Sequence, residues 1–245
     1  IQSNKNNILK LYNNVKVTDQ DKTIFCDSLL YNPDLDTIEI FGNVSINTFS
    51  QKITSDNGKL ENIKEKIILQ NNVKIISQDQ IIEGEEIELL FENKKIEVIK
   101  VLKKGTIYSK NYGYEKNKKN ENRSIKNEDI LKGNLIEIEI NDEIISQIKL
   151  SGMASSLIHL YEDSLYQGRN EISGDEITLK LENNSATLLK SFGGVIGQFN
   201  PSISNTTQEK VNYKGKRIEF DNNLKQSKMF GNANIYQEGL DLTAA

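Results

Sequence analysis

Few side chains in this 245-residue chain could carry nucleophilic or metal chemistry. There is one histidine, His159, and one cysteine, Cys26. A Ser or Cys nucleophile needs a nearby base, usually a histidine. His159 lies in the apolar run 155–161, which favours a packed or surface histidine over a catalytic one. A zinc site needs three or four Cys, His or carboxylate ligands, so only a site made of carboxylates alone stays open.

Paired acids are the other catalytic candidates, because two carboxylates can flank a glycosidic bond. Three such pairs stand out: Asp34 with Asp36, Glu85 with Glu86, and Asp175 with Glu176. Chance pairs are expected among 35 acidic residues, and these lie at turns or strand starts. The glycine-rich segment 192–197 lacks the lysine and the helix of a phosphate-binding loop. We therefore predict that the chain is not an enzyme and has no catalytic residues, no metal and no cofactor.

Charge and hydropathy exclude further classes of function. Lys and Arg number 31 against 35 Asp and Glu, a net charge of -4, so we expect no nucleic-acid partner. No apolar run approaches the roughly 20 residues of a membrane-spanning helix. One cysteine leaves the redox compartment open. Because the chain starts at Ile1 without methionine, we expect that a targeting segment was removed or that the chain was trimmed.

A short phrase recurs along the chain, which indicates stacked equivalent units. Apolar residues flank a central small pair in four segments: Leu9–Val17, Ile38–Ile46, Ile67–Ile75 and Ser227–Ile235. The first three copies follow each other at about 29 residues. Partner phrases begin with a glycine and alternate in polarity; their glycines are Gly84, Gly133, Gly174 and Gly215, the last three about 41 residues apart. Asp27 and Asp56 are interpreted as taking the glycine's place in the first two copies.

Alternation of apolar and polar residues predicts half-buried strands with one wet face. The isoleucine-rich composition agrees with strands. At the centre of each stripe stands Asn13, Gly42, Asn71 or Gly231, residue types that tolerate a left-handed backbone. We predict a bulge that bends the strand there; the alternative is a small inner residue that leaves room for something else.

The repeats suggest three parts. Residues 1–109 carry the repeat of about 29 residues, and residues 130–245 continue it with the spacing of about 41. Between them, residues 110–129 contain Ile125 as their one aliphatic side chain, which predicts a flexible charged loop. Replacing this loop by a short Gly-Ser linker is expected to leave folding intact.

Several phrases in this order resemble the OstA-like family, which includes the lipopolysaccharide-bridge proteins LptA and LptC and the N-terminal domain of LptD. In the first half they are Phe25–Asn32, Ile38–Ile46, Ile53–Asp56 and Asn71–Ile75. In the second half, Gly152–Ser156, Glu162–Ser164, Ile172–Ile177 and Gly193–Gly197 are similar to longer members.

The resemblance implies an all-β jelly roll of stacked, mostly antiparallel strands built from repeats. It also implies a periplasmic protein, with outer-membrane association left open, that shields lipopolysaccharide in an apolar groove during transport to the outer membrane. Its partners would be lipopolysaccharide and other OstA-like proteins, joined head to tail by strand addition. The alternative is a structural β-solenoid or adhesin-like repeat protein that binds no lipid; a carbohydrate-active β-helix enzyme is the third hypothesis.

Parity selects the residues expected to line such a groove from the inner face. They are Ile38, Ile40, Val44, Ile46, Leu69, Val73, Ile75, Ile87, Leu89, Phe91, Ile138, Ile177, Leu179 and Phe220. If the groove is open to solvent, Val73→Asp should abolish lipopolysaccharide binding while the protein stays folded.

Overall fold

The computed structural model describes residues 2–3, 8–19, 22–93, 95–116, 121–182, 185–202 and 209–244. Nearly all of them are in strands: β1 Gln2–Ser3, β2 Leu9–Thr18, β3 Lys22–Asn32, β4 Thr37–Thr48, β5 Lys52–Glu61, β6 Lys66–Ile76, β7 Gln80–Glu92, β8 Lys95–Lys103, β9 Gly105–Lys116, β10 Asn122–Gly133, β11 Leu135–Asn141, β12 Ile144–Glu162, β13 Leu165–Glu182, β14 Ser185–Pro201, β15 Val211–Asp221, β16 Gln226–Phe230, β17 Ala233–Gln237 and β18 Leu240–Ala244. Within these ranges, a 3-10 turn at Asn62–Lys64 is the one helical element.

The chain forms two compact units, unit 1 of Ile1–Gly105 with Leu135–Ile144, and unit 2 of Thr106–Asn134 with Ile145–Ala245. In unit 1, consecutive strands from β2 to β8 pair antiparallel, and β11 pairs with β8. In unit 2, β12 to β15 pair in the same way, β10 pairs with β12, and β15 pairs with both β16 and β17. A parallel bridge joins β9 to β13.

Alternate strands contain a bulge of two left-handed residues. In β2, Asn13 and Asn14 have φ of 67° and 57° and lie between the pairs Tyr12–Ser28 and Val15–Cys26, so two residues oppose one. The same bulge recurs at 42–43, 71–72, 152–153, 193–194 and 231–232. The predicted left-handed backbone at Asn13, Gly42, Asn71 and Gly231 is confirmed.

The register corrects the predicted equivalence of the acids and glycines. Val73 pairs with Gly84, and Val44 pairs in the same way with Ser55, so Ser55 is the residue equivalent to the inward Gly84. Asp56 is the next residue and lies opposite the bulge. Asn72 Nδ2 donates a hydrogen bond to Asp56 Oδ2 at 2.9 Å. Asn43 Nδ2 does the same to Asp27 Oδ2, also at 2.9 Å. The prediction was wrong by one residue, which moves a side chain to the opposite face of a strand.

Each bulge divides its strand into two arms, and the apolar residues of both arms are buried. In β4, Ile40 lies before the bulge and Val44 and Ile46 lie after it, and all three are buried. Every long strand of unit 1 belongs to one ladder. The inner face of this ladder is buried on both sides of the bulges. The predicted fold class, an all-β jelly roll of stacked, mostly antiparallel repeats, is confirmed.

The predicted flexible loop is largely wrong. Residues 110–116 belong to β9 and residues 122–129 to β10, while 117–120 lie outside the described residues. Polar side chains of this segment contact the rest of unit 2: Asn127 Nδ2 donates to Tyr161 Oη at 2.9 Å. The two compact units accordingly divide the chain differently from the predicted ranges 1–109 and 130–245.

Alanine substitutions at two bulge glycines should distinguish the destabilisation due to backbone strain from that due to steric overlap of the added Cβ. Gly42 and Gly194 both have left-handed φ, 71° and 60°, so alanine is strained at both, by about 1 kcal/mol. A Cβ at Gly42 would also overlap the Asp27 carboxylate, whereas nothing lies within 4 Å at Gly194. We expect Gly42→Ala to lower the melting temperature more than Gly194→Ala, and thermal melts followed by circular dichroism measure both. Equal shifts would mean that Asp27 moves away without cost.

Candidate functional site

The one histidine is held in a structural pair. His159 Nδ1 lies 2.9 Å from Asp129 Oδ1, which also accepts a hydrogen bond from the His159 backbone N–H at 2.8 Å. The imidazole ring lies 5.8 Å from the ring of Tyr166. This arrangement fixes β12 against β10, and it agrees with the interpretation of His159 as a packed residue.

The acid pairs are engaged with cations or amides. Glu85 lies 2.5 Å from Lys104 Nζ, which lowers the pKa of the Glu85 carboxyl, and Glu176 lies 3.2 Å from Lys149 Nζ. Asp36 accepts a hydrogen bond from Asn62 at 3.0 Å. In the described part of the chain, no group of three or more His, Cys, Asp or Glu could hold a metal ion. These contacts favour a structural role for the three pairs.

The residues predicted to line an apolar groove lie mostly in a filled interior. Eleven of them are exposed by 3% or less: Ile40, Val44, Ile46, Leu69, Val73, Ile75, Ile87, Leu89, Ile138, Ile177 and Leu179. Ile38, Phe91 and Phe220 are half-buried and lie near strand ends. A Cβ added at Gly84 would overlap Val101 Cγ1, so this part of the unit 1 interior has no spare room.

The interior becomes accessible at the terminal strands. In β2, the inward residues Leu9, Leu11 and Val17 are half-buried, although Leu29 beside Leu11 on β3 is buried. At the other terminus, in unit 2, Leu240 and Leu242 of β18 are 46% and 51% exposed. Each unit therefore presents apolar inner-face residues at one terminal strand.

The interior of unit 2 also contains a polar contact that the sequence pattern did not reveal. Tyr213 Oη donates a 2.6 Å hydrogen bond to Asn170 Oδ1, and both residues are buried. Burial raises the pKa of the Tyr213 phenol, which keeps it protonated. The ring occupies the space that a side chain on Gly197 would need. The sequence analysis did not select Tyr213, and its partner, 43 residues away, has no signal in the sequence.

Comparisons with known proteins find a likeness in structure but none in sequence. No family model matches the sequence, and no curated protein matches it. The chain is similar to the crystal structure of LptH from Pseudomonas aeruginosa, described as the LptA-homologous periplasmic component of a lipopolysaccharide transport device. The match has 11% identity and a TM-score of 0.41, and it covers 58% of this chain and 82% of that one. Membership of the OstA-like family therefore stays a prediction. Among the described helices, none is long and apolar enough to cross a membrane.

Proposed function

We propose that this chain is a non-enzymatic periplasmic protein that shields the acyl chains of lipopolysaccharide in its apolar interior during transport to the outer membrane. One observation carries the proposal. The apolar inner face runs from strand to strand within each unit and becomes accessible at β2 and at β18, where a guest chain could enter. The phrases that resemble the OstA-like family select lipopolysaccharide among possible amphiphiles.

Partial shielding suits a carrier that must release its cargo. Burial of a hydrocarbon chain contributes about 0.8 kcal/mol per CH₂, so a fully enclosed chain of about a dozen carbons would gain roughly 10 kcal/mol. Half-buried positions such as Leu11 and Val17 offer only part of that gain. Entry at the terminal strands therefore permits binding and release, whereas the filled centre of unit 1 would have to separate to admit a chain.

The terminal strands also suit assembly. In the described structure, β18 pairs with β17 along one edge only, and β2 pairs along most of its length with β3 only. An unpaired edge can accept a strand from another molecule. We propose that other OstA-like proteins dock at these edges head to tail, which would extend the apolar interior.

A structural repeat protein that binds no lipid is the second candidate. The filled centre of unit 1 favours it, because residues such as Leu69 and Ile87 are completely buried by their own neighbours.

Site-specific photocrosslinking separates the two candidates. A photoreactive residue would replace Leu11, an inward half-buried position, or Lys16, an exposed position of the same strand. After irradiation with purified lipopolysaccharide, we expect a lipopolysaccharide adduct from position 11 and little from position 16. The lipid proposal is overturned if position 11 gives no adduct or if both positions react equally.

A further inference from the structure

A groove crosses the outer face of unit 2, on the side opposite the apolar interior. Its volume is about 580 Å³, within the range of ligand sites. One wall is a row of residues in direct register across six strands from β10 to β17: Lys132, Ser155, Ser173, Ile196, Lys214 and Asn234. The groove therefore runs across the strands rather than along them.

A second outward row, two residues further along each strand, forms the other wall. It contains Ile130, Leu157, Glu171, Gln198 and Asn212. Apolar, hydroxyl, amide and charged side chains thus line the groove together. Ile196 is an apolar residue on the wet face of β14. It is 64% exposed, and no strand covers it in the described structure. An isolated exposed isoleucine is common, but here it lies within a groove.

The charge in the groove is positive. Lys132 and Lys214 are exposed, and among the described residues neither has an acidic partner within ion-pair distance. Glu171, the acid of the groove, lies 3.0 Å from Arg169 and is neutralised by it. The two lysines are four strand spacings apart, about 19 Å along the groove. A ligand that uses both must be elongated and must carry more than one anionic group.

We propose that this groove binds a linear acidic oligosaccharide. Sugar hydroxyls would pair with Ser155, Ser173 and Gln198, while the C–H faces of the sugar rings pack on Ile196. Acidic substituents along the chain would meet the two lysines. An acyl chain would offer no partner to the Ser155 hydroxyl or to the two lysines, at a cost in free energy, and free phosphate would engage only one lysine. The site is separate from the interior, so it does not rest on the proposed lipid function.

Oligogalacturonate, a linear chain with one carboxylate per sugar, is a suitable probe, and its methyl ester is the uncharged match. Calorimetry should show binding of the acid form and weaker binding of the ester. The variant Lys132→Gln with Lys214→Gln should lose about tenfold in affinity, since it removes both lysines of the groove. The control Lys180→Gln with Lys228→Gln removes two exposed lysines of unit 2 outside the groove and should bind like the parent.

Ile196→Ser tests the apolar contact without threatening the fold, because the side chain is largely exposed. It should weaken binding of the acid form and leave the melting temperature unchanged. The proposal is overturned if neither sugar binds, if the groove lysines can be replaced without loss, or if poly-glutamate of equal length competes as well as the sugar. The last result would assign the groove to acidic peptides instead.

Discussion

Val73→Asp is expected to prevent unit 1 from folding. Val73 is 2% exposed and pairs with Gly84, and among the described residues no lysine or arginine is buried that could meet a carboxylate there. An uncompensated buried charge costs about 3–5 kcal/mol, and the lost burial of the valine methyl groups adds to it. Since the whole stability of a domain is about 5–15 kcal/mol, a loss of this size unfolds unit 1 if its stability lies in the lower part of that range.

Two matched variants identify the cause. Val73→Ala leaves a cavity without a charge and should cost about 2 kcal/mol. Gln70→Asp puts the same carboxylate on the exposed face of the same strand and should change stability by less than about 1 kcal/mol. Urea unfolding followed by circular dichroism measures all three. A folded Val73→Asp protein with a nearly unchanged midpoint would show that water reaches this position, as the sequence-based expectation of an open groove required.

A sealed centre shifts the functional test to the ends of the interior. Leu11→Asp places the charge at a half-buried position of the first long strand, where the carboxylate can remain hydrated. The protein can then fold while the apolar entry is lost. For this reason the photocrosslinking experiment uses position 11 rather than position 73.

Alternation predicted the inner face well, because the two-residue period of a strand determines which side chains share a face. It could not predict whether that face is open or sealed. Closure of Val44 or Leu69 depends on the opposing arm of the ladder, whose residues are distant in sequence. The bulges were predictable from Asn13 and Gly42 for a local reason, since few residue types adopt a left-handed backbone easily.

The sequence analysis did not predict the proposed oligosaccharide groove, because its residues come together only through the register of paired strands. Lys132 and Lys214 are 82 residues apart in the sequence. They line the same groove only because five strands pair in register. One local signal was present. Ile196 is apolar at a position whose parity belongs to the wet face, and an apolar side chain there can mark a contact surface.

Strands β9 and β10 were taken for a loop because burial of aliphatic side chains was the criterion. Their buried aliphatic residues, Ile107 and Leu131, lie outside 110–129, and within that segment the contacts are polar and long-range. Asp129 binds His159, and Asn127 binds Tyr161 from 34 positions away. Glu115 accepts a hydrogen bond from Ser202 at 2.7 Å. Composition within a short window cannot show partners at such separations.

Replacing residues 110–129 by a short Gly-Ser linker should therefore destabilise unit 2 strongly, contrary to the expectation from composition. The excision removes the hydrogen-bond partners of Tyr161, His159 and Ser202, each contributing about 1 kcal/mol. It also removes Gly113, where the ring of Tyr161 packs directly on the backbone. We expect a loss of about 3 kcal/mol or more, or roughly 10 °C in melting temperature.

A control with the same strands intact makes the result specific. Arg123→Ser with Glu128→Ser changes two exposed side chains of β10 and should melt like the parent. Thermal melts and hydrogen exchange of the parent, the excised form and this variant measure the difference. Protection should fall in the excised form for the backbone amide of His159 in β12, because its acceptor, the Asp129 carboxylate, would be removed. An excised protein with the parent's melting temperature and unchanged β12 protection would contradict the prediction. It would mean that residues 110–129 contribute little to stability and that the other strands of unit 2 suffice for folding.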